Sequence, residues 1–289
     1  MTNTHDGSPP ARTRPAEALS RAIGLSDWDD ERLVALMEAI APNTDPTRRP
    51  HRKAWEFAIG VLALEEAGLL DDPDGSMGLS VGAGHEAVLY YLTTRCRWLI
   101  ATDLYGVGDF AHGEAGAMML TDPDLFAPYP YRRRRLTTVH MDALDLRFED
   151  KTFDYLVSFG SIEHFGGHES AARALSEAGR VLRPGGVAVI TTEMAIDGGG
   201  DLSLSGLELF SPETLLEMVE REPLLDWFGP VELTPPDPDG APLIDLHGEV
   251  ERVEAGDQTY PHIRLSVRGP DGPRAFSSVS LALTRSESP

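Results

Sequence analysis

The feature of the sequence that most restricts the fold is an alternation of apolar and helical segments that begins near Met77. Five runs rich in apolar residues, "MGLSVG", "WLIATD", "LTTVHMD", "FDYLVSFGS" and "GVAVITTE", are separated by helical patterns such as "HESAARALSEAGRVL" and by one irregular stretch. Strands that alternate with crossovers pair in parallel, and the crossovers are right-handed. The pattern predicts an α/β fold with a doubly wound, mostly parallel sheet. A ligand crevice is expected at the carboxyl ends of its strands.

Two helical patterns precede this region and predict an N-terminal helical segment over 19–76 on the acceptor side. In "SDWDDERLVALMEAI", Ser26 and Asp29 have the spacing of a helix-capping pair. The apolar residues of that helix lie on one face: Leu33, Leu36, Met37 and Ile40. The second pattern, "RKAWEFAIGVLALEEAGLL", follows Pro50. Residues 1–18 lack apolar periodicity and are expected to form a disordered leader.

The C-terminal part of the chain has a different pattern. "SPETLLEMVERE" predicts a helix capped by Ser211 with Pro212 at its first position. "HIRLSVRG" and "RAFSSVSLALTR", joined by "PDGP", predict an antiparallel hairpin at the sheet edge. Residues 229–260 are rich in Pro, Gly and Asp and predict a long excursion. The expected domain therefore covers 77–289.

A long insert, 105–136, separates the second and third predicted strands. Segments of this length without secondary structure are usually lids or binding loops, so we expect it to help shape the acceptor site. Four residues of the insert are candidates for packing on an acceptor ring: Tyr105, His112, Tyr129 and Tyr131. The four arginines at 132–135 are expected to form internal ion pairs rather than an anion site, because the chain is so acidic.

Charge and cysteine content limit the partners. The chain has 47 acidic and 25 basic residues and a formal net charge of -22, which repels nucleic acid and anionic lipid. A lone cysteine, Cys96, excludes an internal disulfide, and the N-terminal stretch has no apolar signal core. We expect a cytoplasmic protein with a small-molecule partner, neither a nucleic acid nor a membrane. A homo-oligomer is compatible with the sequence.

The glycine turn in "LSVGAGHEAV" suggests a ligand site. Gly82 and Gly84 lie where a strand gives way to a helix, and the missing Cβ atoms let a ligand approach the backbone. Asp103 ends the next predicted strand, about 20 residues further on, where its carboxylate can accept both hydroxyls of a ribose. "GAGHEA" also satisfies a loose dinucleotide-binding pattern, so the turn alone leaves NAD and other adenosine cofactors open.

The later motifs favour one family. "LSVGAGHE", "ATDLY", "HMDALDL", "FDYLVSFGSIEHF" and "EAGRVLRPGGVAVITTE" together resemble the successive motifs of class I, Rossmann-like, S-adenosylmethionine-dependent methyltransferases. The resemblance covers about 77–194. It implies a seven-stranded sheet with a C-terminal antiparallel hairpin, and S-adenosyl-L-methionine as cofactor.

The resemblance also implies roles for individual residues. Gly82 and Gly84 would lie against the methionine part of the cofactor, and Ser161 would line the pocket. The ribose and adenine contacts would come from Asp103, Leu104, Asp142 and Ala143. The chain departs from the family pattern twice: Ser80 stands where an acidic residue is usual, and Glu86 replaces the third glycine. We expect Ser80 and Glu86 to contact the cofactor, with Glu86 on its ammonium group. Alternatively, Glu86 is a helix-start carboxylate favoured by the dipole.

Methyl transfer requires mainly a positioned acceptor and, for some acceptors, a base. His164, in "SIEHFGGHES" after the fourth strand, is the candidate base because histidine titrates near neutrality, and Glu163 would orient the acceptor. The alternative is a histidine packed beneath a helix start. Glu163, His168, Glu193 and Asp197 do not have a recognised metal-ligand spacing, so no metal is expected.

Together these observations predict an S-adenosylmethionine-dependent methyltransferase that acts on a small molecule, by O-methylation of a sugar or specialised metabolite. One alternative is an NAD-dependent oxidoreductase that uses the same turn and Asp103 but gives Asp142 no role. The other is a non-catalytic, methyltransferase-like protein that keeps the cofactor pocket.

Overall fold

A central sheet with helices on both faces organises the structure, a computed structural model that describes residues 15–235, 241–254 and 257–286. Residues 1–14 of the predicted leader, 1–18, lie outside the described residues. The strands are β1 (Ser20–Ala22), β2 (Met77–Val81), β3 (Trp98–Asp103), β4 (Leu136–His140), β5 (Phe153–Phe159), β6 (Leu182–Ala195), β7 (Leu202–Leu204), β8 (Leu207–Leu209), β9 (Leu225–Trp227), β10 (Val231–Glu232), β11 (Leu243–Asp245), β12 (Arg264–Gly269) and β13 (Gly272–Arg285). The helices are α1 (Glu31–Ile40), α2 (Arg52–Glu66), α3 (Ala87–Thr93), α4 (His168–Val181), α5 (Pro212–Glu220) and α6 (Leu246–Glu254).

Seven strands form the core of the sheet, in the order β4-β3-β2-β5-β6-β13-β12. The five strands from β4 to β6 are parallel, and β13 is antiparallel to both of its long neighbours. This confirms the predicted fold class. Four short strands bring the described sheet to eleven strands in all: β1, β9, β10 and β11.

The predicted C-terminal hairpin is confirmed as β12 and β13, but its expected place at the sheet edge is wrong for β13. That strand pairs with β6 from Phe276↔Ala195 to Thr284↔Val187. Its other side is covered in succession by β12, β1 and β9. Residues Phe276 to Leu283 of β13, which are serine or apolar, are all buried, because layers of the protein cover both faces of the strand.

The first helix also begins later than expected. α1 starts at Glu31, and Asp30 is its cap, accepting hydrogen bonds from the N–H groups of Arg32 and Leu33. Ser26 lies instead in a separate 3-10 turn, Leu25–Asp29, that is held by Asp27. The carboxylate of Asp27 accepts from the Gly24 N–H and pairs with Arg21. The predicted apolar face of α1 is buried as expected.

The helices α1, α2 and α3 cover one face of the sheet, and α4 and α5 cover the other. α2 packs across β5, β6 and β13, which places its first turn at the carboxyl ends of β5 and β6. α5 is capped by Ser211 as predicted, with the Ser211 hydroxyl accepting from the Thr214 N–H at 3.2 Å. No helix in the described ranges is both long and apolar enough to cross a membrane.

The insert between β3 and β4 contains three short 3-10 helices, Ala117–Leu120, Pro123–Phe126 and Arg133–Arg135. The expected internal ion pairing of its arginines is confirmed at two positions. Arg133 pairs with Asp124 at 2.8 Å, and Arg135 pairs with Asp74 at 2.5 Å.

Candidate functional site

The turn between β2 and α3 requires glycine at both predicted positions. Gly82 and Gly84 have φ values of +60° and +47°, which L side chains rarely adopt. A Cβ at Gly82 would lie 2.5 Å from the Ser161 Cβ and Oγ, and one at Gly84 would lie 2.9 Å from the Glu114 carbonyl oxygen. The turn is therefore packed closely on one side by the loop after β5 and on the other by the insert.

Asp103, the last residue of β3, anchors this turn. One carboxylate oxygen accepts from the Gly84 N–H at 2.8 Å, and the other accepts from the Leu104 N–H at 2.7 Å. The Tyr105 hydroxyl donates to the Gly84 carbonyl at 2.9 Å, so Tyr105 is buried structure rather than an acceptor contact. Burial raises the pKa of Asp103. Each carboxylate oxygen of Asp103 keeps a lone pair that can accept a hydrogen bond from a further hydroxyl group.

The remaining predicted cofactor residues lie on neighbouring strand ends. The Met141 N–H donates to the Asp103 carbonyl at 3.0 Å, which brings the loop after β4 beside β3. In that loop Asp142 is exposed and its carboxylate accepts from the Leu144 N–H at 2.9 Å, while Ala143 is half-buried. The Ser161 hydroxyl donates to the Gly82 carbonyl at 2.9 Å. The topology thus brings these residues to one edge of the sheet.

Ser80 is the penultimate residue of β2, two positions before Gly82. Its carbonyl accepts from the Thr102 hydroxyl at 3.1 Å. Its own hydroxyl is buried and has no hydrogen-bond partner among the described residues. A small apolar cavity on the α4 side of the sheet is lined in part by Val81, Leu146 and Phe165.

The insert lies over the glycine turn and over the loop after β5. The His85 ring stacks on Phe126 with 4.7 Å between centroids, next to the turn. Phe110 contacts the His164 ring at 4.9 Å. These contacts cover the edge of the sheet at which the predicted site residues meet.

His164 lies in a short 3-10 turn, Ile162–His164, directly after Ser161. Its Nδ1 is 2.5 Å from the Gly206 carbonyl oxygen, and a carbonyl can only accept, so Nδ1 carries a proton. Its Nε2 lies 3.9 Å from a carboxylate oxygen of Glu163. Burial lowers the pKa of His164, which favours a neutral ring with a free lone pair on Nε2.

Behind this turn lies a group of ionisable side chains that no single sequence motif brings together. We call it the carboxylate cluster, and its members are Arg52, Lys53, Glu56, Glu86, Glu163 and Glu193. Arg52 pairs with Glu56 at 3.0 Å and also with Glu193. The Lys53 ammonium lies 3.0 Å from Glu56, 3.6 Å from Glu86 and 2.9 Å from the Phe159 carbonyl oxygen.

Glycine at position 160 makes room for this group. Gly160 has a φ of +60°, and a Cβ there would meet the Lys53 ammonium and would lie 3.3 Å from both Glu56 and Glu163. The Thr192 hydroxyl donates to Glu163 at 2.9 Å, and the Ser278 hydroxyl donates to Glu56 at 2.7 Å. The cluster therefore extends from the glycine turn, at Glu86, to the end of β6, at Glu193.

The four carboxyl groups of the cluster titrate differently. Burial opposes ionisation of Glu56, but Lys53 and Arg52 outweigh it and lower the Glu56 pKa to about 2. Burial raises the pKa of Glu86 to about 8. It also raises the pKa values of Glu163 and Glu193, each to about 7. Near neutral pH, the two cations thus face one firmly ionised carboxylate and three that hold protons for part of the time.

The four residues considered for a metal do not converge. Asp197 is bound by Arg274 at 2.9 Å, and His168 lies 3.3 Å from Glu208 and 3.5 Å from Asp201. No group of three or more potential metal ligands occurs among the described residues.

Comparisons with known proteins agree with the fold. Residues 79–190 match the family model described as a methyltransferase domain. A stretch of 59 residues, 20% of this chain, is 42% identical to "Probable tRNA methyltransferase 9B" of Mus musculus and 41% identical to that of Homo sapiens. This match covers only 13% of each relative's length.

One solved structure is similar over most of the chain. It is a protein from Galdieria sulphuraria assigned as a sarcosine dimethylglycine methyltransferase, with a TM-score of 0.51 and 14% identity. The superposition covers 90% of this chain and 96% of that one, and it shows the fold alone.

Residues 79–190 therefore match a methyltransferase domain, and the chain has the Rossmann-like α/β fold of such a domain. The match to a methyltransferase domain gives no support to the NAD-dependent alternative.

Proposed function

We propose that the protein transfers a methyl group from S-adenosyl-L-methionine to a small-molecule acceptor, by O-methylation of a sugar or specialised metabolite. The observation that carries the cofactor assignment is the geometry of Asp103. Backbone N–H groups fix both carboxylate oxygens of Asp103 at the end of β3. Each oxygen can still accept one hydrogen bond from a hydroxyl group. This arrangement fits the two adjacent hydroxyls of a ribose.

The other residues at this edge fit the rest of the cofactor. Ser80 offers a buried hydroxyl without a described partner, and the glycine turn offers backbone without Cβ atoms. Asp142 and Ala143 lie on the adjacent loop, where the family resemblance expects adenine. Since the insert packs on Gly84 through Glu114, we propose that it acts as a lid that adjusts when the cofactor binds.

When bound, S-adenosylmethionine would supply a methyl group on a positively charged sulfur. A nucleophile would attack the methyl carbon in line with the carbon–sulfur bond, and the sulfur would leave. His164 is our proposed general base. Its Nδ1 proton is committed to Gly206, so Nε2 can take the proton of an acceptor hydroxyl as the methyl group arrives. Glu163, 3.9 Å from Nε2, would orient the acceptor.

We propose a small molecule rather than tRNA as acceptor, although the curated relatives carry tRNA in their names. A formal net charge of -22 disfavours contacts to a phosphate backbone. A transfer assay with radiolabelled S-adenosylmethionine separates the two, because total tRNA and pools of small metabolites can be offered in parallel. Methylation of tRNA would contradict the proposed acceptor class.

Isothermal titration with S-adenosylmethionine and its demethylated product tests the cofactor assignment. We expect binding to the wild-type protein, and a loss of at least about tenfold for Asp103→Ala because charge-assisted hydrogen bonds to the ribose disappear. Asp29→Ala, at an exposed carboxylate distant from the turn in sequence, is the control. Equal affinities for wild type and Asp103→Ala would contradict the assignment. Binding without methylation of any acceptor would favour the non-catalytic alternative.

A further inference from the structure

The carboxylate cluster has more negative than positive groups. Arg52 and Lys53 supply two positive charges, whereas Glu56, Glu86, Glu163 and Glu193 supply four carboxyl groups. Glu56, Glu163 and Glu193 are each no more than 2% exposed. Burying carboxylates without compensating charge is costly, so such an excess needs protons or a bound cation.

Two oxygens of the cluster lack donors. The second carboxylate oxygens of Glu193 and of Glu86 are buried and have no hydrogen-bond partner among the described residues. Arg52 pairs with the other carboxylate oxygen of Glu193. This ion pair keeps the Glu193 carboxylate inside the cluster. A buried acceptor of this kind is normally satisfied by a donor from the protein, from water or from a ligand.

An organic ammonium group would meet both needs. It carries one positive charge and donates up to three hydrogen bonds, for which carboxylates are strong acceptors. Lys53 shows that the cluster accommodates this chemistry, since its ammonium lies within 3.0 Å of both Glu56 and the Phe159 carbonyl. An anion would be repelled. A metal ion would need at least three converging ligands, and the described residues contain no such group.

The cluster also borders the proposed reaction site. Glu86 follows the glycine turn, and Glu163 lies beside His164. The side chains of Lys53 and His164 are 31% and 27% exposed, and we call these two side chains the rim of the cluster. An acceptor anchored beneath this rim would have its other groups near the His164 imidazole.

We infer that the carboxylate cluster is a subsite for a protonated amine of the methyl acceptor, so that the acceptor is an amino-bearing compound such as an amino sugar. This inference rests on the proposed methyl transfer. It assigns the whole cluster to the acceptor, so Glu86 would bind the acceptor amine in place of the cofactor ammonium group that its sequence position suggested. The acceptor hydroxyl oxygen would bond to the methyl carbon as the carbon–sulfur bond of S-adenosylmethionine breaks, S-adenosylhomocysteine would leave, and the hydroxyl proton would pass to His164. The amine is bound and does not react.

Saturation-transfer NMR with ethanolamine and its neutral analogue ethylene glycol tests the subsite. The probes are offered to the full chain, first alone and then saturated with S-adenosylhomocysteine. We expect ethanolamine to bind in both states and ethylene glycol not to bind. Glu193→Gln, which keeps the side-chain shape but removes the charge, should weaken ethanolamine binding by about tenfold or more. Glu163→Gln is the second variant, and Glu66→Gln, in an exposed ion pair, is the control.

Three outcomes would overturn the inference. One is equal binding, or no binding, of the two probes by the free protein. The second is unchanged ethanolamine binding in Glu193→Gln and Glu163→Gln while thermal unfolding shows both variants folded. The third is competition between S-adenosylhomocysteine and ethanolamine, which would assign the cluster to the cofactor's own ammonium. Failure of the proposed function is distinguishable, because then S-adenosylhomocysteine itself does not bind, whatever ethanolamine does.

Discussion

The Lys53 ammonium lies 3.6 Å from the Glu86 carboxylate, and this contact links the N-terminal helix α2 to the start of α3 directly after the glycine turn. Lys53 also bonds the Phe159 carbonyl at the end of β5. A single side chain therefore connects three segments that are far apart in the sequence. The N-terminal helices are part of the site and do more than cover one face of the sheet.

Replacing this lysine should destabilise the fold. In Lys53→Met, Glu56 loses one of its two ion-pair partners, and Glu86 faces the cluster without a nearby cation. We expect the free energy of unfolding to fall by about 2 kcal/mol, below the range for wholly buried pairs because the Lys53 side chain is 31% exposed. Urea unfolding measures this difference. Arg32→Met removes the exposed pair with Glu66 and should cost about 0–1 kcal/mol. Equal losses in the two variants would show that the Lys53 contacts add nothing.

The glycine turn should tolerate no side chain at position 82. Gly82→Ala combines an unfavourable positive φ with a Cβ placed 2.5 Å from Ser161. Gly108→Ala is a matched control, since Gly108 has a φ of +81° but no atom within 4 Å of the added Cβ. We expect about 1 kcal/mol of destabilisation at position 108 from backbone strain alone, and about 1–3 kcal/mol more at position 82 from overpacking. Thermal unfolding compares the two, and similar values would argue against close packing between the turn and Ser161.

Glu86 should make stability depend on pH. Burial, together with Glu56 and Asp103 nearby, raises the Glu86 pKa from 4.5 to about 8 despite the attraction of Lys53. Between these values the folded protein retains a proton that the unfolded chain has lost, so rising pH favours unfolding. The free energy of unfolding of the wild type, relative to Glu86→Gln, should fall as the pH rises from 4.5 to about 8 and then level off. Urea unfolding across this range measures the difference, and a pH-independent difference would contradict the raised pKa.

His164→Asn tests the proposed base. The asparagine amide can still donate to the Gly206 carbonyl, but it has no lone pair that can accept a proton in catalysis. Once an acceptor is identified, we expect kcat to fall by about 10²–10⁴-fold with the affinity for S-adenosylmethionine unchanged. His247→Asn, at an exposed histidine on α6, should leave kcat unaltered. A kcat for His164→Asn within a few-fold of wild type would remove His164 from the mechanism.

Most of the fold could be predicted because its strands and helices have strong local patterns. "WLIATD" and "FDYLVSFGS" are apolar runs of strand length, and each ends in polar residues that reach the same sheet edge. The start of α1 could not be located in this way, because Ser26 and Asp30 both have capping chemistry. Only the tertiary pairing of Asp27 with Arg21 selects the later one.

The site was predictable where one motif holds its residues together. Gly82, Gly84 and Asp103 follow from the turn and from the strand after it. The contacts of Arg52, Lys53 and Glu56 with β5 and β6 depend on the packing of α2 across the sheet, which no sequence spacing encodes. One signal was available: Glu56 interrupts the otherwise apolar run "AWEFAIGVLAL", and a buried carboxylate needs partners.

The interior position of β13 has a consequence for biosynthesis. Among the described strands β13 comes latest in the sequence, yet it lies between β6 and β1. Until β13 emerges, a nascent chain exposes the unpaired edge of β6, and β1 and β10 have no strand that joins them to the rest of the sheet. Contacts between such distant segments form slowly, and open strand edges recruit other chains. A ribosome that stalls within residues 272–285 would therefore release an aggregation-prone chain rather than a smaller folded domain.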